Sequence, residues 1–179
     1  MAGSLVSSGG RAESIAAPVA LQAELLAKVA EYDRNFVARA GERARVLLVT
    51  QPSNADSVTV AQQMSAALGR LSLIAGLPHD ELIMPYKGAA DLARVCRDRR
   101  ICIVYFGPGF QDDIGDIRNA LSDVEVLTVA SVPGYVRDGI VLGFDVVSGH
   151  PKLLFNLSQA RLQKVAIAAA VLKLMTVFE

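Results

Sequence analysis

The sequence predicts an α/β fold, a three-layer sandwich in which a mostly parallel β-sheet lies between two layers of helices. Short apolar runs rich in β-branched residues alternate along the chain with longer segments of helical periodicity. Two of these runs, 45–50 (RVLLVT) and 101–106 (ICIVYF), show little polar alternation, which is typical of strands buried on both faces. Strands that alternate with helices imply right-handed crossovers and therefore parallel pairing.

In the first half of the chain, Pro18 can open a helix that runs from Val19 to Ala40 and stops at Gly41. A polar loop over 51–56 follows the first strand, and either Asp56 or Ser57 is expected to cap the next helix. The remaining elements expected here are a helix to about Gly76, a strand over 81–86, a helix ending near Arg97, the strand over 101–106 and a helix over 112–121.

The second half predicts a strand over 124–129, a Pro133-Gly134 turn and a strand over 140–147 buried on both faces. Ser148-Gly149 supplies the turn of an antiparallel hairpin, whose second strand covers 152–155. Asn156 or Ser158 then caps a long closing helix, with apolar positions Leu162, Val165, Ala169, Leu172 and Val177, that packs back on the sheet.

Size and charge exclude several classes of protein. The chain has 179 residues and a formal net charge of zero, which predicts one domain over 18–179 and no nucleic-acid partner. No segment has the run of about 20 apolar residues that crosses a bilayer. Residues 1–17, rich in Gly, Ser and Ala, are expected to be a flexible leader or the remnant that follows a removed signal peptide.

Two cysteines are too few for a disulfide framework. Cys96 falls late on a predicted helix and Cys102 on the strand that follows, so the two could approach each other and form a disulfide. The alternative, which we favour, is a pair of buried free thiols.

Polar residues and glycines follow the strands where a parallel sheet usually binds its ligands, at the carboxyl ends of the strands near the switch in strand order. These groups could bind a small polar ligand, although any set of turns would contain similar residues. They are Gln51, Ser53, Asn54, Tyr86, Lys87, Gly107, Gly109 and Ser131.

No catalytic, metal or cofactor site is predicted. The Gly107-Pro108-Gly109 loop lacks one backbone N–H at its proline, and neither GxGxxG nor GxxxxGK[ST] occurs. Asp112, Asp113 and Asp116 lack calcium-loop spacing and are expected to start a helix, where negative charge is favourable. His79 and His150 are expected to be solvated turn residues, and GxSxG and HExxH are absent.

Three stretches resemble the YfiR family of bacterial envelope proteins. VLTVASVPGYVRDGIVLGF, over 126–144, is similar to the family's strand, Pro-Gly-aromatic turn and strand ending in Gly-Phe. LLFNLSQARLQKVAIAAAVLKLM, over 153–175, resembles its asparagine at the end of a strand followed by a helix rich in small residues. ICIVYFG, over 101–107, resembles its third strand, where Cys102 matches a cysteine common in the family.

The resemblance implies an exported, non-enzymatic and often dimeric α/β protein of the periplasm. The best-known member of the family represses a membrane-bound diguanylate cyclase, and other relatives occur beside sensor kinases and outer-membrane components. We therefore expect a regulatory module that docks to an envelope partner and forms homo-oligomers. The alternatives are a structural subunit or adaptor of an envelope machine and a small-ligand sensor. The residues expected to contact a partner are Pro133, Gly134, Tyr135 with Val136, and the Ala-rich last helix. For Tyr135, Val136 and that helix, packing in the core is the favoured role.

Overall fold

The computed structural model describes residues 13–179, and the first twelve residues of the expected leader lie outside the described part. Seven strands form one sheet in the order β2-β1-β3-β4-β5-β6-β7. All neighbouring strands pair in parallel except β5 and β6, which form the expected antiparallel hairpin. The predicted α/β fold, with a mostly parallel sheet and a carboxyl-terminal hairpin, is confirmed.

The strands and helices alternate as the sequence indicates. The strands are β1 (Ala44–Thr50), β2 (His79–Pro85), β3 (Ile103–Phe106), β4 (Leu127–Ala130), β5 (Leu142–Val147), β6 (His150–Asn156) and β7 (Thr176–Phe178). The helices are α1 (Val19–Glu31), α2 (Phe36–Ala40), α3 (Ala55–Gly69), α4 (Ala89–Asp98), α5 (Ile114–Leu121), α6 (Gly134–Asp138), α7 (Leu157–Leu162) and α8 (Ala169–Leu172).

Two hydrophobic clusters lie on opposite faces of the sheet. On one face α1 and α3 pack through residues such as Leu26 and Met64 against alternate side chains of the strands, including Tyr105. On the other face α4 and α5 pack through Leu92 and Ile117. The neighbouring strand residues Val104 and Tyr105 belong to different clusters, since successive side chains of a strand point to opposite faces.

Two of the predicted long helices are interrupted, and the two interruptions pair with each other, while a third, α3, ends at Gly69 rather than near Gly76. The expected helix over 19–40 breaks between α1 and α2, and the expected closing helix divides into α7, α8 and the edge strand β7. Arg34 N donates a hydrogen bond to Ala166 O, and Ala168 N donates one to Tyr32 O. The donor–acceptor distance is 3.0 Å in both. The backbone hydrogen bonds of the two breaks are therefore satisfied between the segments rather than within a helix.

A buried carboxylate joins the same two breaks. Asp33 Oδ1 accepts hydrogen bonds from Asn35 N at 3.1 Å and from Ala166 N at 3.0 Å, while Oδ2 pairs with the Arg39 guanidinium. The exposed fractions of the Asp33 and Arg39 side chains are only 0% and 3%. The prediction of a single closing helix was wrong because these long-range contacts outweigh the helical propensity of the alanine-rich sequence.

The cap of α3, the Pro133-Gly134 turn, His79 and the burial of β5 also differ from what the sequence predicts. Asn54, rather than Asp56 or Ser57, caps α3, because its side chain accepts from Ser57 N. The expected Pro133-Gly134 turn starts the short helix α6. His79 is not solvated, since Glu81 and Leu71 O bind its ring, whereas His150 is exposed as expected. Strand β5 is buried over its first half only.

Candidate functional site

The candidate site lies where the strand order reverses, between β1 and β3. Strand β1 lies between β2 and β3, and the chain crosses from β1 to β2 in one direction along the sheet and from β3 to β4 in the other. Such a switch point opens a crevice at the carboxyl ends of the two strands. The loops that bound it here are 51–54 after β1 and 107–113 after β3.

Side chains from the β1 loop tie the two loops together. Gln51 Nε2 donates to Gly109 O at 3.2 Å and to Asp113 Oδ2 at 3.0 Å. Asn54, besides capping α3, lies directly against Gly109, whose φ is +98°. A Cβ atom added to Gly109 would lie 2.9 Å from Asn54 Nδ2, so this position needs glycine for both its backbone angle and its space.

Aromatic side chains fill the bottom of the crevice. The fully buried Phe110 packs edge-to-face on Phe106 at 5.3 Å between ring centroids and on Tyr86 at 5.5 Å. Burial, helped by the negative charges of Asp113 and Asp116, raises the pKa of Tyr86 to about 12. The Tyr86 phenol is therefore protonated at neutral pH and cannot act as a base.

A second group of predicted residues borders the loop after β4. Tyr135 is fully buried, and its hydroxyl accepts a hydrogen bond from Phe110 N at 3.0 Å. Pro133 and Gly134 line a surface cavity of about 420 Å³ together with Glu13, Gln111 and Asp145. Tyr135 thus connects the two loops from within the core. Tyr135 and Val136, both in α6, are fully buried, which agrees with the core-packing role that the sequence favoured over an exposed contact surface.

Glu13 is the residue of this region that sequence reasoning missed. Its carboxylate accepts hydrogen bonds from Gly109 N, and from Gln111 N at 3.1 Å. Burial raises the pKa of Tyr135, as do a hydrogen bond with Glu13 and its negative charge. Glu13 lies in the segment that was expected to be a flexible leader, and no pattern in the sequence marks it.

The two cysteines are free and buried, so the structure contains thiols and not the disulfide alternative. Burial raises the pKa of Cys96 to about 12 and that of Cys102 to about 11. Such thiols are poor nucleophiles at neutral pH, since the thiolate is the reactive form.

No group of three or more His, Cys, Asp or Glu side chains within 13–179 is arranged to hold a metal ion. In the same range, no helix combines the length and the apolar composition that a membrane span requires.

Comparison with known proteins identifies a family and a fold. The model of a domain family described as YfiR/HmsC-like matches residues 20–176. No curated protein matches the chain. Among solved structures, a conserved domain protein from Vibrio cholerae has a similar fold, with a TM-score of 0.63 and 14% sequence identity. The alignment covers 90% of this chain and 60% of that chain.

Two further solved structures share the fold. One is an ABC domain in complex with L-Trp from Streptococcus pneumoniae, with a TM-score of 0.57, 13% identity and coverage of 84% of this chain and 62% of that one. The other is the open, ligand-free form of a substrate-binding protein with adhesive properties from Clostridium difficile, with a TM-score of 0.57, 8% identity and coverage of 81% and 57%. The chain spans about 60% of the length of the solved chains that it matches.

Proposed function

The chain belongs to the YfiR/HmsC-like family of periplasmic regulatory proteins, and on that premise we propose that it is an exported, non-enzymatic module that docks to a protein of the cell envelope. A membrane-bound diguanylate cyclase is the partner that the family resemblance favours, with repression of the cyclase as the outcome. The homo-oligomer expected from the sequence stays a prediction.

The observation that carries the proposal is that the chain itself fills its strand-end crevice. Gln51 bridges the two loops, Asn54 packs on Gly109, and Phe110 occupies the bottom. A neighbouring cavity between β2 and α4, lined by Tyr86 and Leu92 and separate from this crevice, measures about 10 Å³, which is room for about one water molecule. A domain whose crevice is closed in this way is better suited to act through its outer surface than by turning over a substrate.

The hairpin surface, which we define as Val147 and Leu174, is the exposed apolar region that suits such docking. Val147 is 54% exposed and Leu174 is 71% exposed. Lys152 lies opposite Asp145 in the hairpin, and its Nζ donates to Leu174 O at 3.3 Å, so the chain at Leu174 lies beside the hairpin at this edge of the sheet. Exposed apolar side chains that lie together are typical of protein-binding surfaces.

The test measures cyclic di-GMP in a strain that lacks the gene and is complemented with variants directed to the periplasm. We expect the wild-type protein to lower cyclic di-GMP, and Val147→Asp with Leu174→Asp to abolish that effect. Leu73→Asp is the matched control, because Leu73 is 51% exposed but precedes the opposite edge strand β2. Cyclic di-GMP levels that do not respond to the wild-type protein would contradict the cyclase proposal. An effect that survives both hairpin substitutions would exclude this surface.

A further inference from the structure

The loop after β3 binds the Glu13 carboxylate in the way that a protein binds a ligand, although Glu13 and Gly109 are 96 residues apart in sequence. Gly109 N donates to one carboxylate oxygen, and Gln111 N donates to the other at 3.1 Å. Two backbone N–H groups that converge on two oxygens match the geometry of a planar carboxylate, and hydrogen bonds to an ionised acceptor are stronger than neutral ones.

The two N–H donors are held in place by contacts that do not involve Glu13. Gly109 O accepts from Gln51 Nε2, and Gly109 has a φ of +98° beside Asn54. Phe110, between the two donors, has a fully buried side chain, and its backbone N donates to the Tyr135 hydroxyl. The loop is therefore expected to keep its shape when Glu13 leaves, so the donors are pre-organised for another carboxylate.

Glu13 itself is held by a short irregular segment. Residues 13–17 precede α1 without regular structure, and Ser14 and Ala16 are exposed. Ala17 is the buried residue of this segment, and its carbonyl accepts from Gln22 Nε2 at 2.8 Å. Ile15 also packs against the core, so only Glu13 and Ser14 can be displaced without uncovering apolar surface.

The surroundings define the charge of a ligand that could replace Glu13. The cavity of about 420 Å³ beside it offers room for the body of a small molecule, lined by Val132, Pro133 and Gly134. Asp145 also lines this cavity, and Asp138 accepts from Gln111 Nε2 at 3.2 Å. These carboxylates disfavour a dianion more than a monoanion, because like-charge repulsion grows with the ligand's charge.

We propose that the backbone amides of Gly109 and Gln111 form a binding site for a small monocarboxylate, and that Glu13 occupies this site in the free protein as an internal competitor. A ligand carboxylate replaces that of Glu13, its body enters the adjoining cavity, and the Glu13 side chain turns away from the loop. The site needs no docking partner, so it stands or falls separately from the function proposed above.

The test is an acetate titration of ¹⁵N-labelled protein at constant ionic strength, followed by the amide resonances of Gly109 and Gln111. In Glu13→Gln, which removes the competing charge, we expect both resonances to shift saturably. In the wild-type protein we expect an apparent Kd at least about tenfold weaker, since the ligand must displace a charge-assisted hydrogen-bond pair. Glu24→Gln is the control, because Glu24 is an exposed carboxylate on α1.

Sulfate is titrated in parallel and is expected to give no saturable shift at these two amides. The proposal is overturned if acetate gives no saturable shift in Glu13→Gln, or if wild type and Glu13→Gln bind with equal affinity. It is also overturned if Glu24→Gln gains affinity as Glu13→Gln does. Tight sulfate binding would replace the monocarboxylate assignment with a general anion site. Glu13→Ala provides a second variant in which the donors are free, and it must behave as Glu13→Gln does.

Discussion

The buried pair of Asp33 and Arg39 offers a sharp test of how the two helix breaks are stabilised. In Asp33→Asn the amide oxygen can still accept from Asn35 N and Ala166 N, but the amide group no longer neutralises Arg39. The guanidinium is then buried without its counter-charge, and its Nε already has no hydrogen-bond partner among residues 13–179. Breaking a buried pair in this way costs about 3–5 kcal/mol of unfolding free energy.

We expect Asp33→Asn to destabilise the protein by about 3 kcal/mol, at the lower end of that range, because two of the three hydrogen bonds can be kept. For a domain of this size the melting temperature should fall by roughly 6–12 °C. The assay is urea unfolding followed by circular dichroism, together with a thermal scan. Asp80→Asn is the control, since the Arg43–Asp80 pair is exposed and should contribute less than about 1 kcal/mol.

The double variant Asp33→Asn with Arg39→Met separates the ion pair from simple loss of packing. Removing both charges leaves no unpaired guanidinium, so the double variant should be more stable than the sum of the single effects predicts, by about 1–3 kcal/mol. The reasoning would be refuted if Asp33→Asn were no more destabilising than Asp80→Asn, or if the two single effects simply added.

Two further predictions concern buried groups. Because burial raises the pKa of Cys96 and Cys102 to about 12 and about 11, the unfolded chain loses these protons at lower pH than the folded protein does. The urea midpoint should therefore fall as the pH rises from about 9 to 11, and an equally steep fall in a Cys96→Ala, Cys102→Ala variant would contradict this cause. Gln163→Leu should lower the unfolding free energy by about 1–3 kcal/mol, because it removes the side-chain donor to Val126 O and one of the two acceptors of Gln159 Nε2. Urea unfolding at pH 7 checks this value, and unchanged stability would show that the network around Gln163 is replaceable.

Part of the crevice can be anticipated from sequence. A run such as RVLLVT predicts a buried strand, and the polar residues that follow it must then lie at the carboxyl edge of the sheet, as Gln51 and Asn54 do. Their proximity to Gly109 follows from the order of β1 and β3 in the sheet. The roles of Tyr135 and Glu13 could not be read in the same way. Burial of Tyr135 depends on how α6 packs, and the contact of Glu13 spans 96 residues with no repeating pattern.

The sequence by itself determined where most strands and helices lie and which fold class they build, because periodicity and β-branched runs are local signals. Only the tertiary structure decided where the two long helical patterns stop. Residues 163–168 sit in an alanine-rich, locally helical sequence, yet Lys164 has a φ of +57° and Ala166 binds Asp33. The physical reason is that a few long-range hydrogen bonds to a buried charge outweigh tenths of a kilocalorie per residue of helical propensity.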